Sequence, residues 1–169
     1  MESSILWFTG LPGSGKTTLL KKLYSNLKKL KIKTKFIDGD DFRKKISNFK
    51  YEDSAREKIG ILKIKEGIKF YDKGYFVIIS GVAYKKKWRR DIRKLCGKRS
   101  YKEIFLKCSI KACIKRNLNK NKSKDLTDKK KYLYEEYKEY DLKINTGCVD
   151  LHKGYIKLGK FLKILNEQE

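Results

Sequence analysis

The chain has 169 residues, of which 44 are Lys or Arg and 20 are Asp or Glu, so its formal net charge is +24. This length suits one domain, and a hydrophobic fraction of 40% is enough for a single core, which excludes wholesale disorder. The single histidine and four unevenly spaced cysteines exclude a multi-histidine zinc site and give neither a paired metal knuckle nor a disulfide framework.

Short β-branched or aromatic runs alternate along the chain with longer amphipathic stretches, a pattern typical of α/β proteins. In chain order the predicted strands are residues 5–8, 35–37, 75–79, 103–106 and 142–144. The predicted helices are residues 16–30, 55–71, 87–95, 110–118 and 149–165. Five strands with intervening helices predict a five-stranded parallel sheet between two helical layers, a three-layer sandwich. No boundary divides the chain, so we expect one domain over residues 1–169.

The turn after the first predicted strand carries a phosphate-binding pattern. It fits G-x-x-x-x-G-K-[ST] and consists of Gly10, Leu11, Pro12, Gly13, Ser14, Gly15, Lys16 and Thr17. The glycines let backbone N–H groups converge on phosphate oxygens, and the following helix adds the positive end of its dipole. Lys16 can bridge the β- and γ-phosphates, and the Thr17 hydroxyl can bind Mg²⁺. We therefore predict an ATP or GTP site at residues 10–17.

Two carboxylates follow the second predicted strand, at the same edge of the sheet as the phosphate loop. Asp38 and Asp40 can hold Mg²⁺ through water or accept a proton from an attacking hydroxyl. Arg43, three residues after Asp40, would lie near it in a helix, and Arg56 is a second candidate anion ligand. A base together with cations that position a negatively charged substrate is the equipment of a small-molecule kinase.

These motifs resemble the adenylyl-sulfate (APS) kinase family. The resemblance extends from residue 5 to about residue 146 and includes the phosphate loop and residues 37–43. It continues with Arg56, with Tyr84 after the third strand, and with residues 110–116, 134–136 and 141–146. It implies the P-loop NTPase fold, the cofactors ATP and Mg²⁺, and transfer of the γ-phosphate to the ribose 3′-hydroxyl of a nucleotide.

The resemblance also implies roles for individual residues. Asp40 would be the base at the acceptor hydroxyl, and the other catalytic residues would be Lys16 and Asp38. Mg²⁺ would be held by Thr17, with Asp38 acting through water. ATP would be bound by the phosphate loop together with Thr18 and Arg116. The acceptor would be bound by Asp40, Arg43, Tyr51, Arg56 and Tyr84, with Tyr51 stacked on the base and the two arginines at the 5′ end.

The chain departs from the family pattern on the acceptor side. Where the family has an Asn and an Arg that help to bind the phosphosulfate, this chain has Ile59 and either Ile61 or Leu62, which carry no charge. The family's lid, whose Phe covers adenine, corresponds here to a short lid loop near residues 119–133 without any Phe. Both changes predict weaker APS binding unless other residues replace the lost contacts.

The chain is similar to a branch of this family that phosphorylates cytidine diphosphoramidate on the way to capsular phosphoramidate. A pyrimidine needs less stacking surface than a purine, which suits a reduced lid. We therefore favour cytidine diphosphoramidate as the acceptor. The alternative is adenylyl sulfate, phosphorylated to 3′-phosphoadenylyl sulfate in sulfate activation. An alternative of another class is a P-loop protein that binds nucleotide or nucleic acid without small-molecule kinase activity.

The charge of +24 by itself would suggest a nucleic-acid partner. The basic residues, however, are 37 Lys against 7 Arg, spread along the chain without an Arg-rich stripe. We expect a nucleotide substrate and no nucleic-acid partner. The sequence is compatible with a homodimer and does not determine the oligomeric state. The sequence has neither a run of 18 apolar residues nor a visible secretory signal, so we expect no membrane partner and a cytoplasmic location.

Overall fold

The structure, a computed structural model, describes residues 2–47, 52–118, 135, 138–147 and 150–164. Its strands are β1 (Ile5–Gly10), β2 (Thr34–Ile37), β3 (Phe76–Gly81), β4 (Tyr101–Lys107) and β5 (Leu142–Asn145). Its helices are α1 (Lys16–Lys29), α2 (Gly39–Lys45), α3 (Asp53–Tyr71), α4 (Lys86–Cys96), α5 (Ile110–Leu118) and α6 (Leu151–Leu162). The predicted lid near residues 119–133 and the predicted stacking residue Tyr51 lie outside the described residues.

The five strands form one parallel sheet in the order β2-β3-β1-β4-β5, which confirms the predicted sheet. β1 is central and pairs with β3 on one side and β4 on the other, so that Ile5 is level with both Val77 and Tyr101. Every residue of β1 and β3 is buried, as expected for parallel strands covered by helices on both faces.

Alternate residues of β1 separate the core into two layers. Ile5 and Trp7 belong to a cluster with residues of α3 and α4, whereas Leu6 and Phe8 belong to a cluster with the leucines of α1 and with Leu158 of α6. Because successive side chains of a strand point to opposite faces, this alternation places the sheet between two helical layers. None of the described helices is both long and apolar enough to cross a membrane.

Helix α2 is the element that the sequence pattern did not predict. Asp38 begins it as the N-terminal cap, since its carboxylate accepts a hydrogen bond from the Asp40 N–H at 2.9 Å. The helix has seven residues and buries only Phe42 and Arg43. Two buried positions are too few to show a helical period in the sequence. β1 and β3 each end two residues later than predicted, at Gly10 and Gly81. Glycine is depleted in strands, so its presence at these positions did not predict a strand there.

Gly81 lies where the end of β3 passes closest to the indole of Trp7. A Cβ atom at this position would lie 2.4 Å from Cζ2 of Trp7, a side chain that is 1% exposed and has little room to move. We therefore expect Gly81→Ala to lower the free energy of unfolding by about 1–3 kcal/mol, the usual cost of overpacking a core. Urea denaturation of the purified variant measures this change.

Gly60→Ala is the matched control for this stability prediction. A Cβ atom on Gly60 would have Ile92 Cδ1 at 3.6 Å as its nearest neighbour, an ordinary contact, and alanine favours a helix interior. We expect this variant to be as stable as the unmodified protein or more stable. An equal loss of stability in both variants would show that the contact with Trp7 is not the cause.

Candidate active site

The candidate site lies at the edge of the sheet where the parallel strands end, here called the carboxyl edge. The phosphate loop follows β1, Asp38 follows β2 and Tyr84 comes shortly after β3. Helix α5, which carries Arg116, follows β4, and Thr146 follows β5. In open α/β sheets, ligands bind outside this edge. The fold therefore collects residues from five separate parts of the chain around one surface.

The phosphate loop has a backbone conformation that depends on glycine. Gly10 has a φ of +152° and Gly15 a φ of +91°, values that favour glycine over other residues. A Cβ atom on Gly10 would also lie 2.6 Å from the backbone oxygen of Leu106. Gly15 caps α1, whose first turn contains no acidic residue, so the positive end of the helix dipole is not neutralised there.

Lys16, the first residue of α1, lies folded back against the phosphate loop. Its side chain is buried, and its Nζ donates hydrogen bonds to the Gly10 oxygen at 2.7 Å and the Leu11 oxygen at 2.8 Å. Burial lowers the pKa of Lys16 to about 8, and the nearby carboxylates of Asp38 and Asp40 act in the opposite direction. Phosphate oxygens would offer this ammonium stronger acceptors than two neutral carbonyls.

Thr146, a buried threonine not identified from the sequence, holds the phosphate loop through a hydrogen bond. Thr146 is 1% exposed, and its hydroxyl donates to the Ser14 oxygen at 2.8 Å. Arg116, a predicted ATP ligand, donates to the Thr146 oxygen at 2.7 Å and lies 3.5 Å from Cys108 Sγ. Arg116 therefore links α5 to the segment that holds the phosphate loop, and its contact with ATP stays a prediction.

The hydroxyls and carboxylates at the carboxyl edge suit Mg²⁺. Thr17 and Thr18 are exposed in the first turn of α1, Asp40 is exposed, and Asp38 is half-buried. Within the described part of the chain, no three His, Cys, Asp or Glu residues form a metal site by themselves. Mg²⁺ keeps several waters and takes one or two protein ligands together with phosphate oxygens, so this open set of donors fits it.

Asp38 and Asp40 lie at the start of α2. The hydrogen bond from the Asp40 N–H to the Asp38 carboxylate fixes the turn between them, and both carboxylates are near enough to Lys16 to raise its pKa. The predicted catalytic residues Lys16, Asp38 and Asp40 are thus gathered at one end of the sheet.

Among the described residues, the predicted acceptor ligands come from α2, α3 and the loop after β3. Arg43 and Arg56 are each 8% exposed, which is unusual for arginine. The Tyr84 hydroxyl donates to Asp53, and the Tyr84 ring contacts Trp88 edge-on at a centroid distance of 5.0 Å. Hydrogen bonds from Lys85 and Tyr84 lower the pKa of Asp53, and the positive charge of Arg56 lowers it further. Tyr84 therefore contacts the Asp53 carboxylate, and Arg56 lies near enough to act on it electrostatically.

The loop that carries Tyr84 is held by Arg89, a fully buried residue of α4 that the sequence analysis did not single out. Its guanidinium donates to the Ala83 oxygen at 3.0 Å and to the Glu135 oxygen at 2.7 Å. The Glu135 N–H in turn donates to the Tyr84 oxygen at 3.0 Å. These bonds join the chain after the predicted lid to the loop that carries Tyr84.

Lys63 of α3 is a second residue that the sequence analysis missed. It is 4% exposed, and its Nζ lies 2.5 Å from the Ser80 oxygen and 5.2 Å from the centroid of the Trp7 ring. Burial lowers the pKa of Lys63 to about 7, Arg43 lowers it further, and Asp38 opposes the shift. Lys63 follows Arg56 by seven residues, a helical spacing that could have identified it.

From the sequence, we expected the part of α3 around Ile59 to offer no charged contact to the acceptor, and Lys63 alters that expectation. Ile59 belongs to the hydrophobic core and offers no contact to an anion. Lys63 lies one turn further along the same face of α3 and supplies a positive charge there.

The comparisons with known proteins agree with this geometry. The family model for adenylylsulphate kinase matches residues 2–149. The chain belongs to the adenylylsulphate kinase family. The predicted resemblance is therefore confirmed. The relatives are phosphotransferases that act on a nucleotide hydroxyl, which is the predicted enzyme class.

Two curated relatives illustrate the range of the adenylylsulphate kinase family. An adenylyl-sulfate kinase of Prochlorococcus marinus is 35% identical over 159 residues, which is 89% of this chain and 78% of that protein. A cytidine diphosphoramidate kinase of Campylobacter jejuni is 32% identical over 114 residues, which is 67% of this chain and 65% of that protein. For three further adenylyl-sulfate kinases, the match spans 58%, 56% and 58% of the relative's length.

A solved structure of the adenylylsulphate kinase family shows the same fold. The Mycobacterium tuberculosis APS kinase in complex with AMPPNP and APS has a TM-score of 0.84 to this chain and 19% sequence identity. The match covers 96% of this chain and 98% of that one. The predicted P-loop α/β fold is therefore confirmed.

Proposed function

We propose that this protein is an ATP-dependent kinase that transfers the γ-phosphate to the ribose 3′-hydroxyl of a nucleotide. The observation that carries the proposal is the common position of the phosphate loop, two carboxylates and two buried arginines at the carboxyl edge. Such a reaction needs three parts: a site that binds the phosphate donor, a base, and a site that binds a charged acceptor.

The phosphate loop and the start of α1 would bind the donor. Backbone N–H groups and the helix dipole would hold the β- and γ-phosphates, and Lys16 would stabilise the charge on the transferring group. Thr17 would hold Mg²⁺ directly, and Asp38 would hold it through water. When bound, the ion would neutralise negative charge on the phosphate oxygens.

Asp40 and the two arginines would handle the acceptor. Asp40, exposed in the first turn of α2, would accept the proton of the 3′-hydroxyl as it attacks the γ-phosphorus. Arg43 and Arg56 would bind the charged 5′ end and thereby orient the hydroxyl. Tyr84 would contact the acceptor beside them, while Tyr51, outside the described residues, would stack on its base.

We further propose cytidine diphosphoramidate as the preferred acceptor. The presence of Ile59 in the hydrophobic core supports this choice, because the family's Asn contact to phosphosulfate is missing at that position. The relative from Campylobacter jejuni supports it as well. The second candidate is adenylyl sulfate, which is favoured by the more similar relative from Prochlorococcus marinus. Under the first choice, the reaction belongs to capsule biosynthesis in the cytoplasm.

The acceptor is tested by measuring ADP release from MgATP with each nucleotide. We expect kcat/KM for cytidine diphosphoramidate to exceed that for adenylyl sulfate by at least about tenfold. ATP without acceptor and ATP with added DNA or RNA are the controls. Equal or faster turnover of adenylyl sulfate would replace this acceptor with the second candidate. ADP release that depended on nucleic acid would instead support a nucleic-acid-dependent protein.

A further inference from the structure

We propose that Lys63 is an acceptor-binding residue whose ammonium, together with Arg43, binds the anionic 5′ group of the acceptor nucleotide. This inference rests on the proposed function, because it assigns one more residue to the acceptor side of the proposed kinase site. It names a diphosphate-like anion as the group recognised there.

The first argument is the position of the ammonium group. Lys63 Nζ lies 2.5 Å from the Ser80 oxygen, near the end of β3. It also lies 3.7 Å from the point where a Cβ atom on Gly39 would be, directly after the end of β2. The ammonium therefore lies at the carboxyl ends of β2 and β3, beside the turn that joins Asp38 to Asp40. We call this position the β2/β3 end.

The second argument is that the fold gives this charge few partners. A lysine ammonium has three N–H donors, and among the described residues its one hydrogen bond is to the Ser80 oxygen. The face of the Trp7 ring adds a weaker attraction at 5.2 Å. Burying a charge is costly, and the lowered pKa of Lys63 reflects that cost, which Asp38 and Asp40 offset only in part. An anion at the β2/β3 end would add a further partner of opposite charge.

The third argument is the arrangement of charge around Lys63. Arg43 on α2 is its strongest charged neighbour, and Lys16 on α1 also acts on it. Asp38 and Asp40 oppose these cations. Arg56 lies on the same buried face of α3, seven residues earlier. Two buried cations from different helices, close enough to act on each other, suit an anion with more than one negative charge, such as a diphosphate or a phosphosulfate.

The experiment compares Lys63→Met with Lys65→Met. Methionine has a similar length and no charge, and Lys65 is exposed on the same helix. We expect Lys63→Met to raise the acceptor KM about 10- to 100-fold, the usual effect of losing a hydrogen bond to a charged group. The KM for ATP should change less than about twofold, since the phosphate loop binds ATP. Lys65→Met should behave as the unmodified protein.

A binding measurement tests Lys63 independently of turnover. Calorimetry would follow CDP, and separately cytidine, binding to protein saturated with MgADP. We expect Lys63→Met to weaken CDP binding and to leave cytidine binding unchanged, because cytidine lacks the anionic group. Thermal unfolding should show a midpoint no lower than that of the unmodified protein, since a buried charge has been removed. Lys63→Gln repeats the test if Lys63→Met is unstable.

The outcomes separate the two proposals. If the unmodified protein releases no ADP with any nucleotide, the proposed function fails, and the CDP titration still decides the role of Lys63. If it phosphorylates a nucleotide while folded Lys63 variants keep the same acceptor KM and CDP affinity, the role of Lys63 is overturned. An equal loss of CDP and cytidine binding would also overturn it, because that result indicates a structural role.

Discussion

Replacement of Lys16 by alanine is expected to abolish phosphoryl transfer, with a loss of at least about 10³-fold in kcat. Lys16 is the cation of the phosphate loop, and its Nζ lies 2.7 Å from the Gly10 oxygen. In the transition state, negative charge spreads over the oxygens of the transferring group. Residues 10–17 contain no Lys or Arg besides Lys16, so no other side chain of the loop can neutralise this charge. ADP release with a saturating acceptor measures the loss.

Lys21→Ala is the control for this prediction, because Lys21 is exposed on the same helix and lies outside the phosphate loop. It should retain full activity. Both variants should stay folded, since the α1 leucines that pack into the core are unchanged. Turnover close to that of the unmodified protein in Lys16→Ala would contradict the assignment of residues 10–17 as the donor site.

The replacement Asp40→Asn is expected to lower kcat by about 10²–10⁴-fold and to leave ATP affinity unchanged. Asparagine has nearly the same shape but cannot accept the proton of the attacking hydroxyl. Asp41→Asn is the matched control, because Asp41 is the next residue of the same helical turn and is exposed. Single-turnover kinetics with MgATP and acceptor would separate the chemical step from binding.

Asp38→Asn distinguishes the two carboxylates. Asparagine caps helices as well as aspartate does, so α2 should still begin at Gly39 in this variant. We expect a smaller loss of turnover than in Asp40→Asn and a greater requirement for Mg²⁺. An inactive Asp38→Asn together with an active Asp40→Asn would reverse the assigned roles.

The sequence alone determined those parts of the protein whose information is local. The phosphate loop is contiguous at residues 10–17, so its residue types and their spacing were sufficient to predict it. The apolar runs of β1 and β3 predicted buried parallel strands, because strands covered on both faces must be apolar throughout. The family followed from these local motifs and was confirmed by the family model.

Only the tertiary structure decided which side chains far apart in the chain meet. The chain has 37 lysines, and the helical spacing of Lys63 from Arg56 could place it on the same face of α3 but not beside the Ser80 oxygen. Thr146 reaches Ser14 across 132 positions, a contact that exists because β5 and β1 end at the same edge of one sheet. Burial and proximity depend on how helices pack on the sheet, and that packing is set by the whole chain rather than by any segment of it.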